Sequence, residues 1–163
     1  MKNERTAKNK IIAAVIFAVL ILGVIVFIFA NSLKTGTESA DDSEVITVFI
    51  KGLLGKLGIT ADKDTVTLIV RKCAHFSEYF LLSAIIFSAF YYFTKNKYLP
   101  FLSTGICFIV ALTDEFVFQR MTYGRGPLFT DVLIDTGGAA AAGVLLFLII
   151  FIKERSHKKK EKQ

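Results

Sequence analysis

The sequence is poor in the side chains that most often build covalent or metal centres. It has two cysteines and two histidines among 163 residues. Cys73 and Cys107 lie on different predicted helices, so they indicate neither a disulfide framework nor a redox pair. There is no HExxH pair, which leaves zinc with little support. No serine, threonine or cysteine stands in a recognisable nucleophile motif, so the residues identify no covalent reaction.

The chain also lacks internal repeats, a second domain and, apart from a basic tail, low-complexity sequence. What it has in quantity is apolar side chains: 53% of the residues are hydrophobic, and the mean hydropathy of +0.55 is too high for a soluble domain of this size. Four runs reach or approach the roughly 20 residues that a membrane-spanning helix needs. They are residues 11–30, 73–93, 99–118 and 132–152. The predicted fold is therefore all-α, an integral membrane four-helix bundle.

The first run follows a basic N-terminus, as a secretory signal does. Its apolar stretch is longer than the usual 7 to 15 or so residues of a signal, and its exit, FANSLKTG, offers no small-residue cleavage site. We interpret it as a retained anchor.

Basic residues predict the orientation. They gather in three segments: residues 1–10, Lys95 and Lys97 between the second and third runs, and the tail 153–163. Successive segments are separated by an even number of membrane spans, so all three lie on the same side of the membrane. By the positive-inside rule that side is the cytoplasm, so we expect a multi-pass protein of the cell membrane with both termini cytoplasmic. The membrane domain is then 11–152, with an outer loop at 31–70. The net charge of +6 is a topology signal under this interpretation, and we expect no nucleic-acid partner.

The outer loop contains a predicted amphipathic helix. Within DDSEVITVFIKGLLGKLGI, apolar residues recur at helical spacing: Val45, Ile46, Phe49, Ile50, Leu53, Leu54 and Leu57. Ser43 is the predicted N-cap and Gly58 the stop. We expect this helix to lie on the outer membrane surface. The next helix is predicted to begin at a Thr60 or Asp62 cap and to continue without a break into the second membrane run.

Ionisable residues converge at the outer end of three membrane runs. Arg71, His75 and Glu78 fall at i, i+4 and i+7, on one face of a helix, with Lys72 beside them. Charges of both signs at one depth indicate a single polar site assembled from three helices, since intramembrane ionisable groups usually mark function.

The other two helices contribute carboxylates. Asp114 and Glu115 are adjacent, so a regular helix cannot point them in one direction, whereas Glu115 and Gln119 can share a face. Asp131 and Asp135 are one turn apart and share a face, and the run GGAAAAG beyond them is typical of a close-packing helix surface.

This mixture suits a phosphate group. Arginine and lysine offer charge-assisted donors, and a histidine with carboxylates can move protons. The candidate catalytic residues are His75, Glu78, Asp114, Glu115 and Asp131, and the candidate ligand-binding residues are Arg71, Lys72, Gln119, Arg125 and Asp135. We expect no metal and no cofactor, and the residues leave open whether the protein is an enzyme. The alternative is a non-catalytic scaffold whose charges form a structural latch, for example by pairing Arg71 with Asp114 or Asp135.

Three ordered blocks resemble the motifs of VanZ-like membrane proteins: RKCAHFSEY at 71–79, TDE at 113–115 and GRGPLFTDVLIDTGGAAAAG at 124–143. The segment NSLKTGTESADDSE, 31–44, also resembles the stretch that such proteins carry before the first block. The resemblance assigns motif positions to Arg71, Lys72, His75, Glu78, Tyr79, Asp114, Glu115, Gln119, Arg125, Asp131, Asp135 and Gly138.

The resemblance implies a cell-envelope protein, since the founding member of that family is associated with low-level resistance to the glycopeptide teicoplanin. The resemblance supplies no reaction; the partner that we expect, a membrane lipid or a lipid-linked envelope precursor, follows from the charges of the polar site and their depth. Many relatives carry a histidine shortly after the Asp-Glu pair, whereas this chain reads DEFVFQ. That departure also argues against a metal site.

Overall fold

Helices make up all the regular secondary structure in the part of the chain that the computed structural model describes, residues 2–123 and 126–160. The five α-helices are α1 Lys2–Ser32, α2 Gly36–Lys56, α3 Lys63–Thr94, α4 Pro100–Thr113 and α5 Phe129–Lys160. A π turn, Asp114–Phe118, and a 3-10 turn, Gln119–Met121, continue α4. Four helices, α1, α3, α4 with its extension, and α5, are long and apolar enough to cross a membrane. The predicted four-helix membrane bundle is confirmed.

Helix α2 begins earlier than the sequence predicted. Thr35 is its N-cap: the Thr35 hydroxyl accepts from the Glu38 N–H at 3.3 Å, and the Glu38 carboxylate accepts from the Thr35 N–H at 2.8 Å. This reciprocal capping box stabilises the Glu38 carboxylate and holds its pKa below the usual value. The prediction of Ser43 as the cap was wrong, because Ser43 lies inside α2 and its hydroxyl donates to the Ser39 carbonyl at 2.9 Å.

The apolar stripe of α2 faces away from the bundle. Val45 is 80% exposed and Phe49 is 72% exposed, while Thr47 on the opposite side is buried and its hydroxyl lies 3.4 Å from that of Thr67 on α3. An exposed stripe beside membrane helices is the surface that an interfacial helix would present to lipid.

The turn between α2 and α3 follows the sequence prediction. Gly58 adopts a φ of +74° just after the end of α2, a conformation that glycine reaches without steric cost. Asp62 caps α3 by accepting from the Thr65 N–H at 3.1 Å. Helix α3 then continues without a break through Arg71, as predicted.

Small residues on α5 let it approach two neighbours closely. A Cβ atom at Gly138 would lie 2.2 Å from the Phe76 carbonyl oxygen of α3, and one at Gly143 would lie 2.9 Å from Pro100 Cβ of α4. These contacts confirm that GGAAAAG is a packing surface. The core around it contains Ile28, Tyr79, Leu82, Ile86, Cys107, Ala111, Val132 and Ala139. Most other large apolar side chains point outward, where a membrane would cover them.

Candidate functional site

A π turn at the end of α4 directs two adjacent carboxylates into the bundle. The sequence prediction that Asp114 and Glu115 cannot share a direction was wrong, because both side chains are fully buried in this wider turn. The Gln119 side-chain amide lies 2.5 Å from Glu115 Oε2 and 3.5 Å from Asp114 Oδ2. The predicted Glu115–Gln119 contact is confirmed. Single π turns inside helices occur frequently at functional sites.

The same two carboxylates tie three chain segments together. Asp114 Oδ2 accepts from the Ser32 hydroxyl at the end of α1 at 2.8 Å. Glu115 Oε1 accepts from the Leu128 N–H at 2.6 Å, just before α5 begins. The Thr122 hydroxyl in turn donates to the Ser32 carbonyl at 3.2 Å. The polar site is therefore built into the packing of the bundle.

A compact inner group brings side chains of three helices together. His75 of α3, Asp114 at the end of α4 and Asp135 of α5 place one ligand-type atom each within 4.8 Å of one another. Asp135 is 1% exposed. Among the described residues, neither of its carboxylate oxygens has a hydrogen-bond donor.

A second space, the outer cavity, has a volume of about 170 Å³ and lies between the end of α1, α2 and α3. Arg71, His75 and Glu78 all line it, which confirms their predicted common face. Glu78 is positioned by Asn31, whose side-chain amide donates to Glu78 Oε1 at 2.9 Å. His75 lines the outer cavity and also belongs to the inner group, so it connects the two, and its Nδ1 is 3.8 Å from Glu78 Oε2.

The Arg71 guanidinium has no carboxylate partner in the described part of the chain. No described carboxylate lies within 4.0 Å of it, and its buried Nε has no hydrogen-bond partner there. The suggested latch pairs of Arg71 with Asp114 or Asp135 are therefore not formed. Lys72 instead forms an ion pair with Asp131, which joins α3 to α5.

The structure thus brings together every predicted site residue that it describes. Arg125 lies outside the described residues. Tyr79 is fully buried beneath the site, and its hydroxyl has no hydrogen-bond partner among the described residues. Sequence reasoning missed Asn31 and Ser32 as site residues. The sequence feature that could have identified them is their position: two polar side chains directly after an apolar run.

Fold and site together define a multi-pass helical membrane protein with a buried polar cluster at one end. Within that class, the family model described as VanZ/LLP1 matches residues 16–151. The chain belongs to this family, which confirms the resemblance found in its motifs. Neither a curated protein nor a solved structure matches the chain significantly.

Proposed function

We propose that this VanZ-like protein binds a phosphorylated membrane lipid, a phospholipid or a lipid-linked wall precursor, through its phosphate at the outer cavity. The observation that carries the proposal is the Arg71 guanidinium: it lines this cavity, and no described carboxylate neutralises it. A buried or half-buried cation needs a counter-charge, and a phosphate supplies one with geometry that matches the guanidinium fork.

The outer cavity is lined by cations and by the carboxylates Asp42 and Glu78, and Arg71 is the cation there that no described carboxylate pairs. His75 stands one turn away on the same wall, and Lys34 lies at the rim, where it pairs with Asp42 at 2.6 Å. The cavity volume of about 170 Å³ is several times the roughly 30 Å³ that one water occupies in the liquid, so a phosphate-sized group has room.

Acid-base chemistry on the bound lipid is part of the same proposal. His75 touches the outer cavity and lies within reach of the carboxylates Glu78 and Asp114, an arrangement in which a proton can pass between them. Glu115 and Asp131 then act as positioning groups, because each already accepts a bond that joins two segments.

The test is native mass spectrometry of the detergent-purified protein. Wild type, Arg71→Ala and Arg120→Ala are incubated with equal amounts of phosphatidylglycerol, a polyprenyl phosphate and uncharged diacylglycerol. We expect wild type to retain phosphorylated lipid in preference to diacylglycerol. Arg71→Ala should retain at least about tenfold less, since a hydrogen bond to a charged group contributes roughly 1.5–3 kcal/mol.

Arg120 is the matched control, because it is an exposed arginine in the extension of α4. Its replacement should leave lipid retention unchanged. Equal retention by all three proteins, or retention of diacylglycerol as readily as of the phosphorylated lipids, would refute the proposal. The preference between the two phosphorylated lipids distinguishes a phospholipid from a wall precursor.

A structural latch is the second candidate, and the Lys72–Asp131 pair between α3 and α5 favours it. Under this hypothesis the double variant Lys72→Asp with Asp131→Lys restores both abundance and function lost in the single variants. Restored abundance without restored lipid retention would count against the latch.

The same proposal places the protein in the cell membrane with both termini cytoplasmic and the outer cavity at the outer leaflet. Sequestration of a wall precursor there would lower the access of a glycopeptide such as teicoplanin. Expression in a susceptible Gram-positive host should then raise the inhibitory concentration of teicoplanin, and Arg71→Ala should abolish the increase.

A further inference from the structure

The inner group of His75, Asp114 and Asp135 has the composition of a metal site, although sequence reasoning predicted none. One nitrogen and two carboxylate oxygens, from three different helices, lie within 4.8 Å of one another. Ligands bound to a first-row divalent ion at about 2.1 Å lie roughly 3.4 Å apart in a tetrahedral site. Ion binding therefore requires the three ligand atoms to move closer together.

Burial argues that a cation belongs here. Asp114 is fully buried and Asp135 is 1% exposed, and burying two carboxylates side by side is costly unless positive charge or hydrogen bonds compensate. Asp114 accepts from Ser32 at 2.8 Å, but Asp135 receives no hydrogen bond from any described residue. Lys72, which lines a small cavity together with Asp135, is already bound to Asp131.

Space for one ion exists beside two of the three residues, His75 and Asp135. A small cavity of about 20 Å³ is lined by His75 and Asp135, together with Gln119 and the Lys72–Asp131 pair. That volume exceeds the roughly 10–15 Å³ needed to hold one water-sized species. Glu78 is close to His75, with Oε2 3.8 Å from Nδ1, a separation longer than the hydrogen bond by which carboxylates commonly orient metal-binding histidines.

We infer that His75, Asp114 and Asp135 bind a divalent first-row transition-metal ion. Imidazole with hard carboxylate oxygens suits Zn²⁺ or Mn²⁺, whereas Mg²⁺ and Ca²⁺ favour sites made of oxygen alone. The histidine that many relatives carry after the Asp-Glu pair is not required for this set, because α3 supplies the nitrogen. The inference does not require lipid binding at Arg71, but a metal ion on His75 and Asp114 would replace the proton transfer proposed between those two side chains.

The experiment measures metal in the purified full-length protein. Wild type, Asp135→Asn and the control Asp64→Asn, an exposed aspartate on α3, are stripped with chelator, dialysed against Zn²⁺ or Mn²⁺ and analysed by inductively coupled plasma mass spectrometry. We expect about one ion per chain in wild type and control. Asp135→Asn should weaken binding by at least the 10–100-fold that follows loss of even an outer-shell partner.

Thermal unfolding of the stripped wild type provides a second readout that does not require a variant to fold. Added Zn²⁺ or Mn²⁺ should raise the melting temperature, while equal Mg²⁺ or Ca²⁺ should not. No shift with either transition metal, or equal metal content in wild type and Asp135→Asn, would overturn the inference.

Discussion

The two ends of the bundle differ in where their charged side chains lie. At the polar end, which contains residues 71–78, 114–119 and 131–135, the carboxylates of Asp114, Glu115 and Asp135 are buried, and Asp114 and Glu115 join chain segments. At the basic end, which contains residues 95–100 and 151–155, charges lie at the surface against aromatic rings. Lys95 Nζ is 5.3 Å from the centroid of Tyr92, and the Arg155 guanidinium is 4.8 Å from that of Phe151.

This difference distinguishes surface charges at the basic end from buried charges at the polar end. Lysine and arginine over aromatic rings are the usual contacts of helix ends at a membrane interface, where long side chains reach water at little cost. A buried carboxylate such as that of Asp135 cannot reach water, so the cost of its burial in a membrane protein must be offset by a specific contact or justified by a function. The polar end is therefore where substitutions should be most costly.

The largest effect is expected from Gly138→Ala. The added Cβ would meet the Phe76 carbonyl oxygen at 2.2 Å, and a backbone atom inside a helix cannot move aside. We expect a loss at or above about 3 kcal/mol, the upper end of the usual range for overpacking, seen as a lower melting temperature in detergent. Gly143→Ala, which meets Pro100 Cβ at 2.9 Å near the basic end, should cost less.

Gly137→Ala is the control for that series, because its Cβ would have ordinary contact with Phe76 at 3.9 Å. Its stability should match or exceed that of wild type, since alanine favours the helix. A series in which all three alanine variants melt alike would contradict the close approach of α5 to α3.

A smaller loss is expected from Ser32→Ala. Both Ser32 and Ser83 are fully buried, but Ser32 donates to the Asp114 carboxylate at 2.8 Å, whereas Ser83 donates to the Ser103 hydroxyl at 3.2 Å. Removal of a donor from a buried carboxylate should cost about 1–3 kcal/mol, and removal of the neutral bond about 0.5–1.5 kcal/mol. Urea or thermal unfolding of the two alanine variants makes the comparison.

Ser83→Ala is the milder case for a second reason: Ser103 keeps its bond to the Pro100 carbonyl at 2.9 Å. Equal losses in the two variants would show that Asp114 does not depend on Ser32, and the contrast between buried charge and buried hydroxyl would disappear.

The smallest effect is expected at the basic end, where Lys97 pairs with the partly exposed Glu154. Lys97→Ala should leave the melting temperature almost unchanged, because partly exposed ion pairs contribute little and salt screens them. Lys72→Ala should lower it measurably, since it leaves Asp131 beside the buried Asp135. A larger loss for Lys97→Ala than for Lys72→Ala would reverse the ranking of the two ends.

Much of the fold could be predicted from residue patterns. Apolar runs long enough to span a membrane require helices, because backbone groups in lipid must bond within their own segment. The Asp62 cap, the stop at Gly58 and the packing role of GGAAAAG also follow from local chemistry. The cap of α2 was misplaced at Ser43 because Thr35 with Glu38, the pair that forms the capping box, lies before the apolar stripe on which the prediction was built.

Which residues form the site could be predicted from the sequence, but their arrangement in space could not. Spacing placed Arg71, His75 and Glu78 on one face, and that face lines the outer cavity. A π turn cannot be read from spacing, since it arises when tertiary contacts favour a wider turn, so the joint burial of Asp114 and Glu115 was missed. The pairing of Lys72 rather than Arg71 with Asp131 likewise depends on how α3 and α5 pack.

The residue pattern is enough to identify a helical membrane protein of the VanZ/LLP1 family whose carboxylates in the second half of the chain gather near one end of the spans, because hydropathy and motif order are properties of the chain. Which of these charges meet depends on the three-dimensional packing. Helices distant in sequence bring His75, Asp114 and Asp135 together, and contacts of that kind depend on helix rotation and close approach, which the glycines of α5 permit.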